Sequence, residues 1–189
     1  INMPWMSYWT NSNYKWSGKP IRQLGLNFGA PGDRSADDNV LWFEYPFVAG
    51  ISPEIPIKID TLNFKRFRKE PFTVLSQNTP WVSASGLAGI ESMEITLSND
   101  SIVKESTYTV RLYFSELENL NPGDRVFDIA IQGETVSSGF DIILESGKPD
   151  KEVIKQYNGI TAGKILKVDL IPGKGSPLIS GIELIQESE

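Results

Sequence analysis

The chain has 189 residues, Lys+Arg 18 against Asp+Glu 24, a formal net charge of −6 and neither Cys nor His. Disulfides, thiolate metal sites, Cys nucleophiles, imidazole bases and His-ligated zinc or haem are therefore excluded within it. Its 40% hydrophobic and 22% charged residues describe an ordinary soluble globular chain with enough length for a core, and no window approaches the roughly 18 uncharged apolar residues of a membrane span.

Residues 1–22 follow neither a period of 2 nor one of 3.6, and they mix Trp5, Trp9 and Trp16 with Asn, Ser, Gly and Pro. They read as an irregular aromatic lead-in or a linker from a preceding domain, and 23–189 as the folded domain. The chain opens at Ile1 with no Met and no signal pattern, as a piece of a longer product would. From there the pattern is strands between turns. Strands are predicted at Leu24–Phe28, Val40–Tyr45, Phe64–Arg68, Phe72–Leu75, Ser92–Leu97, Tyr108–Phe114, Val126–Gln132, Gly139–Leu144, Glu152–Tyr157, Ile165–Ile171 and Ile179–Ile185. In the sixth, Tyr108, Val110, Leu112 and Phe114 alternate with Thr109, Arg111 and Tyr113. Turns are expected at Pro31-Gly32, Pro122-Gly123, Gly147-Lys148-Pro149, Asn158-Gly159 and Pro172-Gly173-Lys174-Gly175, and Gly86-Leu-Ala-Gly89 reads as a flexible turn. No helical window of ten residues emerges. Short strands at this spacing predict an all-β fold, an antiparallel sandwich or barrel.

Aromatics and charge divide unevenly. All five Trp lie in residues 1–81, which carry nine basic and seven acidic groups; residues 82–189 carry nine and seventeen. An acidic, aliphatic second part reads as scaffold and an aromatic first part as contact surface. Trp42 lies in Val40-Leu-Trp-Phe-Glu-Tyr45, where Leu41, Phe43 and Tyr45 face away from Trp42 and Glu44, so one of the two sets must be core. Trp81 follows Pro80 at a loop-to-strand junction and is expected to be exposed. The loop Gly29-Ala-Pro-Gly-Asp-Arg-Ser-Ala-Asp-Asp-Asn39 is the most site-like segment: Asp33, Asp37 and Asp38 are hard oxygen donors that make a weak calcium candidate, without EF-hand spacing.

Phe64-Lys-Arg-Phe-Arg-Lys69 reads as a charged edge strand, since an isoelectric point near 4.8 speaks against nucleic acid. Arg125, Asp128 and Glu116 read as structural ion pairs or turn locks, and Glu116 with Glu118 as a remote glycosidase pair. No P-loop, G-x-S-x-G or dinucleotide fingerprint occurs. Asn99-Asp100-Ser101 is a glycosylation sequon.

Three spaced motifs carry a resemblance: Tyr108-Thr-Val-Arg-Leu-Tyr-Phe-Ser-Glu116, Arg125-Val-Phe-Asp-Ile-Ala-Ile-Gln-Gly133 and Phe140-Asp-Ile142. With Leu26-Asn-Phe-Gly29 before them and Ser180-Gly-Ile-Glu-Leu184 after, the stretch from Leu24 to Glu187 resembles the malectin and malectin-like domains. That resemblance implies a jelly-roll-like antiparallel β-sandwich that binds carbohydrate without catalysing anything. It also resembles domains attached to propeller or hydrolase-type bacterial envelope proteins, which implies an extracytoplasmic accessory module. A glycan is then the expected ligand, with Trp81, Trp42 and Tyr45 for stacking and Arg34, Asp33 and Asp37 for hydroxyls, aided by the 172–177 hairpin. Neither a cofactor, beyond that structural calcium, nor membrane insertion is expected. The competing reading is a structural domain that docks its aromatic surface onto a neighbouring domain of the same chain.

Overall fold

A computed structural model describes residues 16–36, 40–47, 56–61, 63–77, 79–101 and 104–188. Its strands are β1 (Gln23–Phe28), β2 (Arg34–Ser35), β3 (Leu41–Tyr45), β4 (Ile57–Ile59), β5 (Lys65–Arg68), β6 (Ser85–Ala88), β7 (Ser92–Thr96), β8 (Ser106–Phe114), β9 (Val126–Ile131), β10 (Glu134–Phe140), β11 (Val153–Ala162), β12 (Ile165–Lys174), β13 (Leu178–Ile179) and β14 (Gly181–Gln186). Two short helices, α1 (Pro80–Ser83) and α2 (Ile142–Ser146), interrupt them.

Two sheets face each other, one ordered β11-β8-β14-β1-β3-β2 and the other β10-β9-β12-β7-β4, with a small third sheet β13-β6-β5 beside them. Neighbours pair antiparallel except β1 with β3. The fold is the predicted all-β sandwich, and the period-2 pattern explains it. Tyr108, Val110, Leu112 and Phe114 of β8 turn inward with Leu24, Leu26 and Phe28 of β1, and they meet Phe127, Ile129, Ile131, Leu166, Val168 and Leu170 from the opposite sheet. Each such side chain contributes roughly 1.5–3 kcal/mol on burial. Phe114, Phe127 and Phe140 pack ring to ring, with centroids 4.8–5.9 Å apart.

Several local expectations gave way to backbone chemistry. Pro71 opens a 3-10 turn over Pro71–Thr73 where a strand was predicted, because its fixed φ suits a helical first turn. The predicted strand at 139–144 divides at Asp141. That carboxylate accepts from the Leu144 amide at 3.0 Å and caps α2, which Gly147 ends at φ 81°. Asn158-Gly159 makes a bulge inside β11 opposite β8, not a hairpin. Gly86-Leu-Ala-Gly89 is not a free turn either: β6 is wholly buried, held between β13 and β5. β5 lies at the edge of its sheet, as its charges predicted.

The end of the lead-in belongs to the sandwich. Ile21 is buried, its amide donates to Leu97 O at 2.9 Å, and its carbonyl accepts from the Tyr108 hydroxyl at 3.0 Å. Trp5 and Trp9 lie outside the described residues.

Candidate functional site

The structure gathers most of the aromatic candidates into one cluster, but hides it. On β3, Phe43 and Tyr45 point into the core, where Tyr45 meets Phe28 edge-on at 5.9 Å. Trp42 points to the outer face of the six-stranded sheet and is buried there too. Its ring lies across β1 and β14, at positions where only glycine leaves room: a Cβ on Gly25 would stand 2.4 Å from Trp42, and one on Gly181 2.5 Å from Val82. Residues 79–84, including α1, strap over this ring. Trp81 meets Trp42 edge-on at 5.7 Å, Tyr113 meets it at 5.2 Å, and the Arg34 guanidinium sits 5.5 Å above Trp81. Trp81 is therefore only 6% exposed, contrary to its expected exposure, and offers no free face for stacking. Burial also lowers the Arg34 pKa.

Polar groups fix the strap. Asn27 Nδ2 donates to Trp81 O at 3.3 Å and its Oδ1 accepts from the Ser85 hydroxyl at 2.9 Å. Glu152 accepts from the hydroxyls of Ser76, Ser83 and Thr79 at 2.7, 2.7 and 3.4 Å. Burial nevertheless raises the Glu152 pKa. Asp33, buried beside Arg34, accepts from the Glu44 amide at 3.0 Å. Asp37 and Asp38 lie outside the described residues; among those described, no three acids gather as metal ligands.

A different place has the make-up of an open site. At one end of the sandwich, loops from four segments enclose a cleft of about 350 Å³, lined by Asn63, Lys65, Glu118, Asp124, Arg125 and Ser176 around Ala88 and Leu120. Its foundation is a buried ion pair. Arg125 Nε donates to Glu116 Oε2 at 2.7 Å, and the two side chains are 6% and 1% exposed. Nη2 reaches Glu118 Oε2 at 2.8 Å and Nη1 donates to the Ser176 carbonyl. Burial pushes the Glu116 carboxyl up against the pull of Arg125. Desolvation acts the same way on Glu118, but the hydrogen bond and charge of Lys65, with Arg125 behind it, hold it below its usual value. The Asn121 amide and then Lys174 hold Asp124 low.

Sequence reasoning read Arg125 and Glu116 each as part of a structural ion pair or turn lock, and the structure joins them to each other. Residues 172–174, expected to turn, instead extend β12 along β9, and Ser176 beyond them lines the cleft. Sequence reasoning named Glu118 only beside Glu116 and Lys65 only as an edge-strand charge, and it missed Asn63, Lys65 and Asp124 as neighbours of the pair. The available signal was the Pro122-Gly-Asp-Arg125 turn between two of the spaced motifs.

Comparison with known proteins agrees with this framework. Residues 90–185, just over half of the chain, match the family profile described as Malectin domain. The chain belongs to the malectin domain family. A nodulation receptor kinase of Pisum sativum is 33% identical over 101 residues, which are 51% of this chain and 10% of that protein. Receptor-like protein 4 of Arabidopsis thaliana is 32% identical over 96 residues, 49% and 15% of the two chains. The malectin domain thus accounts for a small part of these curated relatives. Among solved structures, a Bacteroides uniformis beta-glucuronidase superposes at TM-score 0.66 with 20% identity, over 88% of this chain and 18% of the enzyme. The ANXUR1 extracellular domain of Arabidopsis thaliana superposes at 0.60 with 19% identity, over 88% and 48%. These structures share the fold. The curated relatives are plant proteins, so the bacterial source implied by the earlier resemblance is not supported. Within the malectin domain, the matched residues supply Glu116, Glu118, Asp124, Arg125 and Ser176 of the cleft, and Asn63, Lys65 and Ala88 come from before the match.

Proposed function

We propose that the protein is a non-catalytic carbohydrate-binding module of a longer extracytoplasmic protein, with its sugar site in the end cleft. The observation that carries this reading is the cleft itself. A small apolar floor is ringed by amide and carboxylate groups that an ion network already holds in place, which is how orientation-specific sites for polar ligands are built. Sugar hydroxyls both donate and accept, so Asn63, the spare lone pairs of Asp124 and Glu118 and the Ser176 hydroxyl are suitable partners. Family membership and the receptor ectodomains among the fold neighbours support the binding role and the extracytoplasmic setting. The pKa pattern speaks against glycoside hydrolysis at this place. A general acid needs a raised pKa and a path to the substrate. Glu116 is raised but is 1% exposed and closed on Arg125, whereas Glu118 and Asp124, which line the cleft, are both lowered.

Calorimetric titration with neutral oligosaccharides tests this. Asp124→Ala is expected to weaken binding by about tenfold, the equivalent of one good hydrogen bond. Trp81→Phe, which keeps the buried cluster filled, is expected to bind as the wild type does. Loss on Trp81→Phe with none on Asp124→Ala would move the site to the strap.

One observation favours docking as a second reading. A larger cleft of about 440 Å³ runs between residues 16–24 and β3, with Trp16, Leu24, Val40, Leu41 and Phe43 along it. Acrylamide quenching of Trp16 in this chain that disappears in the full-length protein is the outcome docking predicts.

A further inference from the structure

The charges of the end cleft restrict the class of sugar it accepts. Three cations, Lys65, Arg125 and Lys174, stand with three acids, Glu116, Glu118 and Asp124. Each cation is already closed on an acid: Lys65 on Glu118 at 2.7 Å, Arg125 on Glu116 at 2.7 Å and on Glu118 at 2.8 Å, Lys174 on Asp124 at 3.2 Å. Recognition of a carboxylate or sulfate uses the fork of a guanidinium, two parallel N–H groups aimed at two oxygens. Arg125 has no such edge to offer, because Nε and Nη2 hold the two glutamates and Nη1 the Ser176 carbonyl. Lys65 and Lys174 are equally exposed, and Glu118 lies against both Lys65 and Arg125. An incoming anion would have to displace Glu118 or approach it unscreened.

We propose that the cleft takes an uncharged glycan, and that Glu118 is the residue that excludes sugars bearing carboxylate or sulfate. This rests on the cleft being the sugar site. Uncharged hydroxyls need no such displacement: each carboxylate oxygen accepting one cation keeps a lone pair, and the Asn63 amide lines the same wall. Glu118 thus acts twice, screening Lys65 and Arg125 and repelling a second negative charge.

The test is calorimetric titration of this chain with cellohexaose, xylohexaose, mannohexaose and hexagalacturonate at low salt. At least one neutral hexasaccharide is expected to bind, and hexagalacturonate to bind at least about tenfold more weakly. Glu118→Gln uncovers Lys65 and one edge of Arg125 while keeping the shape. It is expected to raise hexagalacturonate affinity about tenfold, a gain that shrinks as salt screens the newly bare cations. Lys174→Gln, which leaves Asp124 unbalanced, is expected to lower hexagalacturonate affinity further, and it supplies the comparison should Glu118→Gln fail to fold. Wild-type preference for hexagalacturonate overturns the proposal and leaves the binding site standing, as does an unchanged charged-to-neutral ratio in the variants. No binding of any of the four sugars removes the site itself and the proposal with it.

Discussion

Two residue-scale features fix what this domain can and cannot present. The first is the flat seat of Trp42 on Gly25 and Gly181. Gly25→Ala is expected to destabilise by ~1–3 kcal/mol, the usual penalty of forced overpacking, and by distinctly less in a Trp42→Leu background, where the ring is gone; urea unfolding of the four variants measures the coupling. The second is the buried Arg125–Glu116 pair. Removing either partner alone leaves a charge stranded at a site 6% or less exposed and is expected to cost ~3–5 kcal/mol. The Glu116→Gln, Arg125→Gln double variant should lose less than the sum, because the neutral amides leave no bare charge. Equal additive losses would mean the pair does not organise the cleft.

At the scale of elements, the strap formed by residues 79–84 depends on Glu152. Burial raises its pKa above the ordinary 4.5. The native state then holds the proton more tightly than the unfolded chain, so this group's stabilisation is complete below the unfolded value and is lost as pH rises through the raised native one. Glu152→Gln imitates the neutral form. It is expected to match or exceed wild-type stability at pH 7 and to have no advantage near pH 4, whereas Glu152→Ala abandons three hydroxyl partners and loses ~1–3 kcal/mol. Thermal unfolding across that range decides between them. Strands such as β8 were legible in the sequence because one face is apolar at every second residue. The elements misread were those governed by single residues: Pro71 turning a strand into a 3-10 turn, Asp141 capping α2, Gly159 bulging β11. β6 escaped notice because its Ser-Gly-Leu-Ala is held by neighbours on both sides, and small residues give no period of their own.

For the whole molecule, the same reasoning explains why the site was harder to read than the fold. A sandwich follows from alternation along one strand at a time, and the three ordered motifs named its family. The end cleft brings Asn63 and Lys65 to Glu118, Arg125 and Ser176 through sheet topology, with no local pattern linking them. Trp81 drew attention by type, but a strap and an edge-on neighbour bury it. Among the described aromatics of the first part, Trp42 and Trp81 join Tyr113 in a second small core on the outer face of a sheet, and Phe28, Phe43 and Tyr45 enter the main one.

The most direct measurement is an amide chemical-shift titration of this chain with a neutral hexasaccharide that binds it. Shifts concentrated at Asn63, Lys65, Gly89, Glu118, Asp124 and Gly175 are the predicted result. Shifts confined to Arg34, Trp42, Trp81 and the 79–84 strap, or none from any neutral hexasaccharide at about 10 mM, a concentration that reaches even millimolar affinities, would contradict the account.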